Sequence, residues 1–160
     1  MWTDFFIAAA GASAALAGLV FVSLSVNINR ILLFSNLPSR SASTIGALML
    51  ILVTSMAALI QGQRTETLGI EILIFGAFQW LLEAWTVRKA LIARRELHRP
   101  RFEWMIGAVA GQVETLPFIV GGIHLHAGHE AGFYWVARGT IAAFILSVVN
   151  AWVLLVEILR

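Results

Sequence analysis

Glu114 lies in the middle of an apolar stretch, Phe102 to Leu125, that is long enough to cross a bilayer. A charge at the bilayer centre costs about 2.5–3.5 kcal/mol on insertion scales, so a carboxylate there has either a function or a partner. Gly107 and Gly111 precede it on one helical stripe, and GxxxG spacing of this kind brings backbones together in lipid. Pro117 follows; it has no N–H to donate and is expected to kink the helix and free a carbonyl near Val113. A carboxylate beside a freed carbonyl suits a proton or a cation. The competing expectation is a structural ion pair with Arg138, the arginine in the outer half of the last apolar stretch. A neutral, hydrogen-bonded glutamic acid is the third.

A second polar pattern lies near the N-terminus. Asp4, Ala8, Gly11, Ala15, Gly18, Val22, Ser25 and Asn29 recur at three- and four-residue steps, which puts them on one helical stripe. The upper part, with Gly11 and Gly18, is small enough for a close helix seam. The lower part is polar, and Ser23, Asn27 and Arg30 widen it. The stripe is expected either to pack as a hydrogen-bonded seam or to line a hydrated path. In a path, the serine hydroxyls and asparagine amides, Ser25 among them, would replace ion hydration, with Asn27 and Asn29 at the narrow region.

Further polar groups share faces elsewhere. Gln79, Glu83 and Thr86 lie together, as do Ser147, Asn150 and Glu157. Glu83 and Glu157 fall toward the same membrane side as Arg30, Arg40 and Arg88. They are expected to form a network of ion pairs there, or to line an acidic vestibule.

His124, His126 and His129, followed by Glu130, could ligate zinc, copper or nickel. The spacing matches no strong signature, and the chain has no cysteine. His126 and His129 are the weak metal candidates, being the two that would share a helical face. A loop that titrates near neutral pH, or a plain interfacial loop, fits equally. No nucleophile elbow, phosphate-binding glycine loop or HExxH motif is present, so neither an enzyme nor a cofactor is expected.

The elements that must position these groups follow from composition. The 160 residues are 59% hydrophobic and only 12% charged, and the mean hydropathy is +0.85. A soluble domain is nearer half apolar and a quarter charged. The chain is therefore expected to be all-α, one transmembrane domain over residues 1–160 with the lipid bilayer as its solvent. Five apolar stretches fit: about Phe5 to Leu33, Ala42 to Ile60, Leu68 to Leu97, Phe102 to Leu125, and Phe133 to the end. Pro38 is expected to bar a helix between the first two. The fourth stretch is the weakest, and a re-entrant segment with four full spans is the alternative. No cleavable signal is expected, since Met-Trp-Thr-Asp lacks a basic start.

Charge orients the spans. Six of the 11 basic residues, Arg88, Lys89, Arg94, Arg95, Arg99 and Arg101, flank the loop between the third and fourth stretches. The positive-inside rule puts that loop in the cytoplasm, the N-terminus outside and the C-terminus inside. The net charge of +2 argues against nucleic acid as a partner. The cluster at Arg88, Lys89, Arg94 and Arg95 could hold anionic lipid, or serve only as the topology signal. Trp2, Trp104 and Trp135 suit interfaces, whereas Trp80, Trp85 and Trp152 are expected to pack deep.

The segment Gly11 to Arg40, GASAALAGLVFVSLSVNINRILLFSNLPSR, resembles small bacterial integral membrane proteins of unknown activity. Some of these carry the label of modulator of a membrane-bound ATP-dependent protease. The likeness rests on the small-residue first helix, its Phe-Val-Ser core, an Asn-x-x-Arg-like end and Leu-Pro-x-Arg. It covers about a quarter of the chain and implies a bacterial inner-membrane protein, with no catalytic residues to carry over. So many small seams and buried polar groups lead to the expectation of a homo-oligomer. An ion channel or pore lined by the first helix is the leading function. A non-catalytic regulatory partner of another membrane complex is the alternative.

Overall fold

The computed structural model describes the backbone of residues 2–33, 37–97 and 101–159. These form α1 (Trp2–Val26), α2 (Ile28–Leu33), α3 (Leu37–Ala58), α4 (Thr65–Leu97), α5 (Arg101–His126) and α6 (Ala131–Leu159). Five of them are long and apolar enough to cross a membrane, over Trp2–Val26, Pro38–Ala58, Thr65–Lys89, Gly107–His126 and Ala131–Val153. The fourth stretch is thus a full helix. Pro117 lies inside it without ending it, so the re-entrant alternative falls away.

Two boundaries differ from expectation, each for a local reason. The first stretch is broken at Asn27. The Asn27 amide donates to the Ser23 carbonyl at 2.9 Å, an acceptor the backbone ladder would otherwise use. The ladder resumes when Ile31 N–H donates to Asn27 O at 3.0 Å. The second stretch, in turn, begins its helix at Leu37, inside the segment expected to be a turn, with Pro38 near its start. Pro38 sits in the first turn of α3, where no backbone donor is needed and the fixed φ suits the helix.

The helices pack as an antiparallel set in which α4 lies against α3 and α5, α5 against α6, and α3 against α1 and α6. Leu48, Ile51, Ile72, Phe118, Leu125, Val136 and Ala143 make the buried centre. Lipid offers no hydrophobic drive between helices, so close packing must do the work. Glycine permits it. Gly69 lies against the backbone of Gly122 and His126, and Gly132 against that of Gly121. Where α1 and α6 begin, Trp2 stacks on Phe133 with ring centroids 5.7 Å apart and meets Tyr134 edge-on at 4.8 Å. That ties the start of α1 to the start of α6.

Candidate carboxyl site

The polar groups converge where α3, α4 and α5 meet. Glu83 is 4% exposed and Glu114 3%. Glu83 Oε1 accepts from the Ser43 hydroxyl at 2.5 Å and from the Gln79 side-chain amide at 3.0 Å. The i, i+4 step between Gln79 and Glu83 along α4 makes that second bond local. Thr86, on the same face, donates to the Glu83 carbonyl at 2.8 Å. The other oxygen, Oε2, lies against Gly111, where a β-carbon would be only 2.9 Å away.

Glu114 follows Gly111 by one helical step on the buried face of α5, and its electrostatic neighbour is Glu83. Glu83 and Glu114 are thus both buried at the α4–α5 seam, with Gly111 against Glu83. Gly46 completes the pocket from α3, since a β-carbon there would collide with the Gln79 amide.

The glycine contacts give the register of the bundle. Gly111 opposes Glu83, Gly76 opposes Phe118 and Ile119, and Gly122 opposes Leu73 and Gly69. Thr115 on α5 is thereby level with Gln79. On α6, Gly139 opposes Pro117 and Phe118, and Gly132 opposes Leu125. Two turns beyond Gly139, Ser147 comes level with the Glu83 tier. The hydroxyls of Thr115 and Ser147 are fully buried and have no hydrogen-bond partner in the protein.

Several expected pairings are corrected. Arg138 does not reach Glu114. It is exposed and stands over the Trp135 ring, 5.4 Å from its centroid, because i−3 stacking on the same helix is nearer than the buried seam. Glu83 takes Ser43 and Gln79 as its hydrogen-bond partners, where arginine was expected. Lys89 is turned over Trp85 at 4.2 Å, and Arg88 is exposed. Only half of the Gly107–Gly111 seam packs: Gly111 meets Glu83, and Gly107 has nothing within 4 Å. Trp80, Trp85 and Trp152 face outward, and Trp80 donates to Gln112 Oε1 at 3.2 Å on the exposed side of α4 and α5. The side chains of Arg30, Arg94, Arg95, Trp104 and Glu157, and residue His98, lie outside the described residues.

The α1 stripe faces out of the protomer along its whole length. Asp4, Ala8, Gly11, Ala15, Gly18, Val22, Ser25 and Asn29 are all exposed, and neither Gly11 nor Gly18 has a neighbour within 4 Å. The seam expected there is absent within one copy. Ser25 returns its hydroxyl to Phe21 O at 2.8 Å, and Asn27 is half-buried.

The histidines are arranged by a helix cap. Gly128 has φ +79°, which lets His129 N–H reach His124 O and Gly128 N–H reach Leu125 O. This cap brings the His124 and His129 rings to 6.1 Å, so His126 and His129 are not the pair. His126 Nδ1 lies 3.4 Å from Glu66 O instead. Among the described residues no three His, Cys, Asp or Glu side chains gather around one point.

Sequence reasoning missed Ser43, Gly46 and Thr115, and also Glu71, whose buried Oε2 has no partner. Glu71 was legible as a second acid within an apolar stretch. The others carry no pattern of their own, because what matters in them is what another helix brings. Comparison with protein-family models, with curated proteins and with solved structures found no match to this chain.

Proposed function

We propose that the protein is an oligomeric channel-type membrane protein in which copies gather around α1 and the inner half of α1 lines an ion path. One observation carries this reading: every residue of the small and polar α1 stripe is exposed on the protomer. A helix face that meets only lipid has no use for Ser25 and Asn29 beside Gly11 and Gly18. Leu19, Phe21 and Val26 on the flanks are the kind of bulky exposed side chains lipid favours. Small residues allow close approach between copies, and the hydroxyl and amide below them replace ion hydration. The break at Asn27 adds irregular backbone, which membranes tolerate where it lines a cavity or is covered by protein.

In this reading the chain lies in a bacterial inner membrane with its N-terminus outside and the basic end of α4 in the cytoplasm. Reconstituted, well-folded oligomers should pass ions across proteoliposomes, with Asn29→Ala changing the flux and Arg138→Ala leaving it. Oligomers that pass no ion would end the proposal. The same open face supports a second reading, a regulatory partner helix of another complex, in line with the resemblance of Gly11 to Arg40. Co-purification of a larger complex, lost in Gly18→Leu, would favour it.

A further inference from the structure

We infer that His124 and His129 form a binding site for a divalent transition-metal ion, copper, nickel or zinc, at the turn between α5 and α6. The inference stands on the geometry of the turn and does not depend on conduction. Helix α5 ends in a two-bond cap. His129 N–H donates to His124 O at 2.9 Å and Gly128 N–H to Leu125 O at 3.0 Å, with Gly128 at φ +79°. In a cap of this kind the residues joined by the outer bond bring their side chains together, and that contact is normally apolar. Here both side chains are imidazoles.

The two ring centroids are 6.1 Å apart and the ring planes cross at 79°. Rings that share an ion through nitrogens about 2.0–2.1 Å from it have centroids roughly 5–6 Å apart. The pair therefore reaches an ion by side-chain rotation, without movement of the backbone.

That backbone is held from both sides. Gly69 of α4 packs on the backbone of His126, and Gly132 of α6 packs on Leu125. Gly132 N–H also donates to His129 O at 3.1 Å. A site carried on fixed backbone needs little ordering when its ligand arrives. His124 is half-buried and His129 exposed, so an ion reaches them from solvent. His126 stands apart, with Nδ1 3.4 Å from Glu66 O.

The donor set selects the ion. Imidazole nitrogen suits copper, nickel and zinc, whereas magnesium and calcium take oxygen. Two protein ligands leave the remaining positions to water. The ion is therefore exchangeable, unlike one closed in by four side chains.

Isothermal titration calorimetry of the tag-free full chain in lipid nanodiscs tests this, with Cu2+, Ni2+ and Zn2+ as probes and empty nanodiscs subtracted. A single ion per chain should bind, Cu2+ most tightly. Excess Mg2+ or Ca2+ should not displace it. H124N and H129N should each weaken binding by at least roughly 10- to 100-fold, the cost of losing even an outer partner of a metal ligand. H126N should bind as the wild type does. Spin-echo spectra of the Cu2+ form should count two imidazoles in the wild type and one in H124N. Absence of saturable binding by the folded wild type overturns the inference without use of a variant. So does binding left unchanged by either H124N or H129N, or abolished by H126N, which would place the ion elsewhere.

Discussion

Glu83 Oε2 approaches the backbone of Gly111 so closely that a single methyl group on that glycine would lie 2.9 Å from it. This contact seats the buried Glu83 side chain in the α4–α5 seam, with Glu114 buried three residues further along α5. The bundle therefore treats two glycines of one motif differently, and its chemistry can be tested by adding very small groups.

Gly111→Ala should destabilise the protein by about 1–3 kcal/mol, as overpacking of a filled interior does. The Glu83 side chain is held by Ser43 and Gln79, so it can yield only by giving up those bonds. Gly107→Ala meets open space and should be neutral, or stabilising by about 0.5–1 kcal/mol through helix propensity. Thermal unfolding of both variants in the same detergent compares them. Equal effects would remove Gly111 from the site.

Gly69→Ala should be more damaging than Gly111→Ala. Its new methyl meets backbone of Gly122 and His126, which has no rotamer to change. The α4–α5 seam would have to open, and the loss should exceed about 3 kcal/mol or abolish folding. Expression level and the unfolding midpoint report this, and a tolerated alanine would show that the helices can slide apart freely.

Coupling energies should separate the two candidate partners of Glu114. A cycle of Glu114→Gln with Arg138→Ala should be additive within about 0.3–0.5 kcal/mol, as for sites without a shared contact. A cycle of Glu114→Gln with Glu83→Gln should show about 0.5–3 kcal/mol of interaction. Chemical denaturation in mixed micelles can measure both. The opposite ranking would restore the ion pair with Arg138.

Gly11→Leu and Gly18→Leu should leave the protomer folded, because neither glycine has a neighbour within 4 Å. If copies meet on this face, the same changes should shift the oligomer toward lower mass. Native mass spectrometry from detergent reads both results at once. A variant with wild-type mass would place the contact between copies elsewhere.

The sequence by itself determined the class of fold and its five spans, because length and hydropathy act locally and need no neighbour to interpret them. It also determined which residues are out of place in lipid, Glu114 and Glu83 among them, and that the residues from Asp4 to Asn29 recur at helical steps. Helical periodicity alone places residues on a face. What faces what was decided only by tertiary structure. Arg138 looked available to Glu114 by depth in the membrane, yet rotation of α6 turns it outward to Trp135. Gly107 and Gly111 look alike in sequence, and the register of α4 against α5 gives only Gly111 a neighbour. The histidine spacing suggested His126 with His129, and the left-handed turn at Gly128 paired His124 with His129. Ser43 has no signal of its own, since its role exists only because α3 passes Glu83 there. Depth and face follow from the chain's own period. Azimuth and register follow from glycine contacts between helices, which no single segment encodes. They put Glu114 on the same buried seam as Glu83 and left Arg138 outside it.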